Sequence, residues 1–238
     1  MASSIKQVFT KVANSFADIL AVKTCLICNE PIDYNFRFSF ICPKCFYNLP
    51  AADSSELIIN RLMQTFASDD IGISNATSLF SLKDSEFLEI IHHLKYYGLY
   101  QIGFEFGILL GEKLKTNGLI HYDFIFPVPI HSAKKRERGY NQSYFIAKGI
   151  NTILKTEINE NLIKRAVYTQ SQTTLNAMER KKNIEGIYQL AVPNKLISNK
   201  TILVVDDVFT TGSTINHLAL TFLNFGVKKV DCATLALT

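Results

Sequence analysis

The segment from Ile202 to Ile215 constrains the fold of this chain most strongly. It begins with the apolar run Ile-Leu-Val-Val, continues through Asp206 and Asp207, and passes through a hydroxyl-rich turn into an amphipathic helix. A short apolar run followed by acids and a helix is typical of a buried strand in a parallel α/β sheet. Ligands of such sheets bind at the carboxyl ends of the strands, so both acids are expected to lie in a ligand site.

The turn after these acids has the chemistry of a phosphate site. Gly212 lets the backbone approach a ligand, and hydroxyl donors surround it at Thr210, Thr211, Ser213 and Thr214. Free N–H groups of the turn and the positive end of the helix dipole attract an anion. Adjacent carboxylates repel phosphate, so their expected partners are ribose hydroxyls or hydrated Mg²⁺. The alternative is a strand ending in two solvated acids before a threonine N-cap.

Four of the five cysteines form two Cys-x-x-Cys pairs, Cys25/Cys28 and Cys42/Cys45, separated by 13 residues. Two such pairs turn four thiolates toward one centre, as tetrahedral Zn²⁺ requires, and so short a module depends on its metal for folding. We therefore predict a structural zinc site. Iron–sulfur ligation stays open, because four thiolates also hold such clusters. Two disulfides or a redox-active pair would also use these cysteines, and Cys232 is interpreted as a packed strand residue.

Composition places the chain among folded proteins with one sizeable domain and one small one. Of its 238 residues 47% are hydrophobic and 19% are charged. No apolar run reaches the roughly 18 residues of a membrane span, and polar residues interrupt the N-terminal segment, so we expect a cytoplasmic protein without a span. The net charge is −2 over residues 1–122 and +6 over residues 123–238, which favours an anionic ligand in the second half.

Hydrophobic periodicity predicts alternating elements along most of the chain. Helices are expected at 5–20, in two pieces over 87–114 broken near Gly98, at 141–154 and after Ile215; strands are expected at 122–130, 201–205 and 228–237. This alternation predicts an α/β fold with a mainly parallel central sheet flanked by helices. Residues 50–80, which are polar and weakly periodic, are interpreted as a hinge.

The segment 202–215 resembles the phosphoribosyl pyrophosphate (PRPP) motif of type I phosphoribosyltransferases. Together with the four cysteines, it makes the chain similar to the ComF family of competence-associated proteins. Further segments agree with that family's pattern, namely His93–Tyr96, Asp123–His131, Arg138–Gln142 and the spaced residues Arg165, Thr169, Gln172, Leu175, Arg180 and Asn183. Two departures are Tyr140, where Phe is usual, and Val167, where a second Arg is frequent.

The resemblance implies three domains: a helix and a four-cysteine zinc ribbon at 1–50, a helical linker or hood at 51–120, and a type I phosphoribosyltransferase-like domain at 121–238. It implies PRPP binding, with Mg²⁺, by Asp206, Asp207, Val208, Phe209, Thr210, Thr211, Gly212, Ser213 and Thr214. The two acids would be catalytic if the chain is an enzyme. The pyrophosphate side of this PRPP site would include Ile130, His131, Arg136 and Arg138. Segment 165–183 would be a mobile flap.

The basic loop with Lys134, Lys135, Arg136 and Arg138 suits pyrophosphate, but a solvated loop or a nucleic-acid contact explains it equally well. Lys95 and Tyr96 are interpreted as a snorkelling lysine and a packed tyrosine. The 17 Phe and 10 Tyr residues follow core periodicity, so no base-stacking platform is expected.

Two functions follow as hypotheses. One is a cytoplasmic factor of natural competence that handles imported single-stranded DNA, keeps PRPP as a ligand and works with other competence proteins. The alternative is an active Mg²⁺-dependent phosphoribosyltransferase of nucleotide or salvage metabolism, whose acceptor the sequence does not identify.

Overall fold

The computed structural model describes residues 23–83, 85–130, 136–165 and 188–238. The chain divides into two compact units, Met1–Asn48 and Leu49–Thr238. Several predicted features lie outside the described residues: the helix at 5–20, the flap from residue 166 onward, and the loop residues His131, Lys134 and Lys135.

The first unit is organised around its cysteines. The amide of Cys25 donates to the carbonyl of Glu30 at 2.8 Å and closes the first knuckle. The second knuckle leads into helix α1 (Pro43–Tyr47), which begins with proline directly after Cys42. Three phenylalanine rings pack together beside the knuckles, with centroids 4.7 to 5.9 Å apart: Phe36, Phe38 and Phe46. This aromatic cluster is small, so residues 23–48 have little apolar core of their own.

A parallel sheet forms the centre of the second unit. Its strands are β1 (Asn75–Ser81), β2 (Phe124–Pro127), β3 (Glu157–Ile158), β6 (Thr201–Phe209) and β7 (Lys229–Leu237). They lie in the order β1-β7-β6-β2-β3, and each neighbouring pair is parallel. A separate antiparallel pair consists of β4 (Ile163–Arg165) and β5 (Tyr188–Leu190). The predicted α/β class with a mainly parallel sheet is confirmed.

Helices cover the sheet. They are α2 (Ser55–Thr65), α3 (Phe87–Tyr96), α4 (Tyr100–Thr116), α5 (Gln142–Leu154) and α6 (Ser213–Asn224). The predicted break near Gly98 separates α3 from α4, and this glycine has φ +74°. Such a backbone conformation favours glycine over residues with a side chain, which explains why the helical pattern stops there.

The interpretation of residues 50–80 as a hinge is wrong. This segment contains α2, and β1 pairs in parallel with β7 from Asn75 opposite Asp231 to Ser81 opposite Leu237. The strand carries hydroxyl groups in place of a continuous apolar run, which hid it in the sequence. Its buried Ser78 accepts a hydrogen bond from Thr234 of β7 at 3.0 Å, so these polar groups are satisfied inside the fold.

Helices α4 and α5 approach each other closely. A Cβ added to Gly149 would lie 2.2 Å from the carbonyl oxygen of Phe104, and one added to Gly107 would lie 2.3 Å from that of Ile146. The backbones thus meet where neither helix has a side chain. This contact places the N-terminus of α5 beside the carboxyl ends of the central strands.

No helix in the described ranges combines the length and the apolar character needed to cross a membrane.

Candidate functional site

A cleft of about 470 Å³ lies at the carboxyl ends of β2 and β6. Its lining comes from four sources: the end of α3, the end of β2 and the residues that follow it, the segment from Arg138 into the N-terminus of α5, and the end of β6. The lining residues are Lys95, Val128, Pro129, Ile130, Arg138, Asn141, Gln142, Ser143, Asp206 and Asp207. The position agrees with the general location of ligands in open α/β sheets.

Asp207 is buried and held by two side chains from different helices. The Lys95 Nζ atom lies 3.3 Å from Asp207 Oδ1, and Gln142 Nε2 donates to Asp207 Oδ2 at 2.9 Å. The residue is only 5% exposed, so the lysine supplies a charge that compensates much of its burial. The interpretation of Lys95 as a snorkelling side chain is wrong, because its ammonium group lies inside the cleft.

Asp206 faces the same cleft, and the pKa of its carboxyl departs from the ordinary value. Its Oδ1 accepts hydrogen bonds from Ser143 Oγ and from the amide of Asp207, both at 2.9 Å. Burial, reinforced by the adjacent Asp207 charge, raises the pKa of Asp206 to about 7. Such a carboxyl gains and loses its proton near neutral pH, a property that is common at functional sites.

The N-terminus of α5 is locked beside the two acids by Asn141. Its side chain caps the helix by accepting from the Ser143 amide at 3.2 Å, and it donates to the Val128 carbonyl at 3.1 Å. The hydroxyl of Tyr140 donates to the Leu94 carbonyl, which ties the preceding turn to α3. These bonds aim Gln142 and Ser143 at Asp207 and Asp206. The positive end of the α5 dipole also faces the acids.

The turn after β6 matches the geometry expected for a phosphate cradle. Gly212 has φ +73° and is the N-cap of α6, and an added Cβ would lie 2.5 Å from both Leu62 and Phe209. The amides of Thr210, Thr211 and Gly212 donate to no described group. Three such donors at a helix N-terminus suit an anion.

The individual residues of the PRPP-like segment are placed as follows. Asp206 and Asp207 lie within β6, which continues to Phe209, so the strand is longer than the predicted 201–205. Phe209 is buried in the core below the turn, and Val208 is half-buried. The exposed or half-buried hydroxyl residues are Thr210, Thr211, Ser213 and Thr214, and the Thr211 and Ser213 hydroxyls lie 2.9 Å apart.

The predicted pyrophosphate-side residues are separated by the structure. Ile130 and Arg138 line the cleft, whereas Arg136 is exposed and is absent from its lining. The guanidinium of Arg138 stacks 5.1 Å from the ring centroid of Tyr96, and its buried Nε has no partner among the described groups.

Sequence reasoning assigned no role in binding to four of the lining side chains: Lys95, Asn141, Gln142 and Ser143. Two signals are available: the segments His93–Tyr96 and Arg138–Gln142 agree with the family pattern, and the polar run Asn-Gln-Ser begins a helix that follows a strand. Such a run is typical of an ordinary helix cap. Its approach to the acids depends on how α5 packs, which local sequence does not specify.

The four N-terminal cysteines converge in the first unit. The sulfur atoms of Cys25, Cys28, Cys42 and Cys45 all lie within 4.8 Å of one another. Burial opposes ionisation of Cys25, but amides of Cys28, Cys42 and Ile27 outweigh it and lower its pKa to about 7, whereas burial and the neighbouring thiols raise the pKa of Cys45. The cluster has the composition and geometry of a metal-binding site, since a cation would offset the cost of gathering thiolates.

Comparison with known proteins agrees with this architecture. Residues 159–237 match the family model of the phosphoribosyl transferase domain. "Competence protein F" of Haemophilus influenzae is 31% identical over 125 residues, which cover 52% of this chain and 55% of that protein. "DNA utilization protein YhgH" of Salmonella typhimurium is 30% identical over 205 residues, covering 82% of this chain and 85% of the relative.

The chain belongs to the ComF family. The match to the first of these relatives spans little more than half of that protein's length. Among solved structures, the ComF chain is similar to the purine phosphoribosyltransferase of Pyrococcus horikoshii, with a TM-score of 0.36, 16% identity, and coverage of 60% of this chain and 76% of that one.

Proposed function

We propose that this ComF protein binds PRPP in the cleft at the carboxyl ends of β2 and β6. The observation that carries the proposal is the placement of Asp206 and Asp207 in that cleft, directly before a turn with three free amides. The acids suit the two ribose hydroxyls, because each carboxylate keeps acceptor capacity beyond its present bonds. The amides of Thr210, Thr211 and Gly212 suit the 5′-phosphate.

The opposite side of the cleft suits pyrophosphate. Lys95 and Arg138 bring two cations to it, and Arg138 has a donor without a partner among the described groups. Lys95 pairs with Asp207 and is expected to contact a phosphate oxygen of PRPP as well. Asp206 and Asp207 would hold Mg²⁺ through their carboxylate oxygens, and the ion would supply positive charge that offsets the negative charge of the phosphates.

If the chain transfers the phosphoribosyl group, Asp206 and Asp207 hold the ribose and favour positive charge at its anomeric carbon. Lys95 and Arg138 then stabilise the departing pyrophosphate. Among the described residues, none presents a Cys or Ser with a His and a carboxylate for nucleophilic catalysis. In such a transfer the acceptor supplies the nucleophile, and pyrophosphate leaves from the anomeric carbon.

A second candidate function is DNA handling in natural competence, in the cytoplasm and together with other competence proteins. It is supported by the family membership and by the relatives' names, which speak of competence and of DNA utilization. PRPP binding and DNA handling are compatible, since the first describes a ligand and the second a process. The four-cysteine cluster is proposed to hold zinc in a structural role, which reduced thiols permit in a reducing compartment.

The test is calorimetric titration of PRPP into the purified full chain, with and without Mg²⁺. We expect saturable binding that the double variant Asp206→Asn/Asp207→Asn abolishes. Lys95→Met is expected to weaken binding about tenfold, because a charge-assisted contact is worth roughly 1.5–3 kcal/mol. Asp123→Asn is the matched control: this acid pairs with Lys200 at 2.9 Å and is absent from the cleft lining, so its removal should leave PRPP affinity unchanged.

Absence of PRPP binding by the folded, metal-loaded wild type would reject the proposal. Equal losses of PRPP affinity in Asp123→Asn and in the double variant would also reject the proposal, since the loss would then reflect net charge and not the cleft. If PRPP binds, product formation in the presence of nucleobases or amines decides between a transferase and a protein that uses PRPP as a ligand.

A further inference from the structure

Three tyrosines stand exposed at the junction of α3 and α4, next to the cleft. Tyr96, Tyr97 and Tyr100 are 55%, 62% and 50% exposed. Their hydroxyl groups donate to no described residue, so no internal bond accounts for their position. The expectation that Tyr96 is packed is wrong, because more than half of this residue is exposed. We call these three residues the tyrosine surface.

Neighbouring rings hold the tyrosine surface in place. Tyr97 stacks on His93 with centroids 4.7 Å apart, and Tyr96 lies 4.9 Å from His92. Tyr100 packs on Phe145 of α5 at 4.4 Å. Each ring is therefore supported on one side and open on another. Rings that are already ordered lose little conformational entropy when a flat partner stacks on them.

One cation contacts the tyrosine surface directly, and a second lies on aromatic rings beside it. Arg138 lies 5.1 Å from the Tyr96 centroid, and the exposed Lys148 lies 5.4 Å from the Tyr144 centroid and 5.6 Å from that of Phe145. Arg138 also lines the cleft beside Lys95, so positive charge runs from the cleft to the tyrosine surface. Ordered rings with adjacent cations are the combination that binds the bases and phosphates of single-stranded nucleic acid.

We infer that the tyrosine surface binds single-stranded DNA without regard to sequence. Bases stack on Tyr96, Tyr97 and Tyr100, and backbone phosphates pair with Arg138 and Lys148. The choice of DNA as the polynucleotide rests on the DNA-handling function proposed above, whereas the position of the surface rests on the contacts of these residues. The strand then passes beside the PRPP cleft, and Arg138 is shared between the two ligands.

The test is fluorescence anisotropy of labelled oligothymidylate with the metal-loaded full chain. Tyr97→Leu is expected to weaken binding at least about fivefold, the loss of one stacked base. Tyr97→Phe keeps the ring and should bind like wild type. Lys148→Gln should reduce the slope of log affinity against log salt by about one, as one phosphate contact is lost. Tyr47→Leu, which removes a tyrosine 76% exposed in the first unit, is the matched control.

Every outcome bears on the inference. If wild type binds and Tyr97→Leu matches Tyr97→Phe, the tyrosine surface does not contact the bases. Loss of binding in Tyr47→Leu places DNA on the first unit instead.

Preference for oligouridylate rejects the choice of DNA, and concentration-dependent self-association lost in Tyr97→Leu identifies a protein interface. No binding to any oligonucleotide overturns both the inference and DNA handling. A parallel PRPP titration with Tyr97→Leu, which is expected to be normal, keeps the PRPP proposal separate.

Discussion

At the scale of single residues, the cleft places two acidic side chains next to each other, an arrangement that destabilises a folded protein. Two adjacent acids sit at its base, one paired with Lys95 and the other held by Ser143. Their side-chain contacts come from α3 and α5, so the position of the pair depends on how these two helices pack. Gathering like charges in a partly buried cleft costs stability, and such costs are typical where binding chemistry is needed.

The raised pKa of Asp206 shows that the folded state disfavours its ionised form. Because its pKa is about 7 in the folded chain, above the ordinary value of 3.8, the folded state binds more protons than the unfolded state between these values. The free energy of unfolding therefore falls as pH rises through this window. Asp206→Asn should stabilise the protein at both pH values, by about 1–3 kcal/mol more at pH 8 than at pH 5.

Urea unfolding of the wild type and of Asp206→Asn, each at pH 5 and pH 8, checks this prediction. Asp123→Asn is the contrasting control, because the Thr201 amide and Lys200 lower the pKa of Asp123, so that its ionised form is favoured by folding. That variant should lose a little stability at pH 8. If Asp206→Asn stabilises the protein equally at pH 5 and pH 8, the ionised form of this carboxyl is not what destabilises the folded state.

At the scale of elements, the contact between α4 and α5 sets the geometry of the cleft. Gly107 and Gly149 allow the two backbones to meet, and α5 begins with the residues that hold the acids. A shift of α5 by even a fraction of an ångström would change the hydrogen bonds of Gln142 and Ser143. Remote packing and ligand affinity are thus coupled through one helix.

Gly149→Ala tests this coupling. The added methyl group meets the Phe104 carbonyl oxygen, and we expect a loss of about 2 kcal/mol or more in stability despite the better helix propensity of alanine. PRPP affinity should fall as well, although Gly149 is absent from the cleft lining. Thermal unfolding and PRPP titration provide the two measurements. Lys115→Ala, an exposed change near the end of α4, should shift stability by less than about 0.5 kcal/mol.

At the scale of the whole molecule, the two units depend on different sources of stability. The second unit buries a continuous apolar core around its sheet. The first unit has an aromatic cluster and four converging thiols. A chain shorter than about 70 residues rarely builds a core that supplies more than a few kcal/mol, so the first unit is expected to need a metal.

Chelation should therefore unfold the first unit and leave the second folded. The expected result is one equivalent of zinc by elemental analysis, with its removal exposing residues 23–48 to protease while the main thermal transition is unchanged. Cys45→Ser should reproduce the effect, and Cys232→Ala, which alters the buried fifth cysteine in β7, should retain the metal. Iron and a visible absorption band would instead identify an iron–sulfur cluster.

Much of this architecture could be predicted because it depends on local pattern. The apolar run before Asp206 predicts a buried strand, the paired cysteines predict a metal-binding cluster, and the alternation of elements predicts a parallel sheet. The conformation of Gly212 follows equally from the tight turn between strand and helix. In each case neighbouring residues in the chain are also neighbours in the fold.

Other features depend on contacts between distant segments. Strand β1 was missed because its hydroxyl groups are satisfied by β7, more than 150 residues away in the chain at Ser78 and Thr234. The tyrosines at the end of α3 looked like core residues until the packing of α4 and α5 left them exposed. By itself, the sequence determined the fold class, the cysteine cluster and the pair of acids, because these follow from local periodicity and spacing. Only the tertiary structure decided that Lys95 and Gln142 hold Asp207, because which side chains meet a buried charge depends on how separate helices pack.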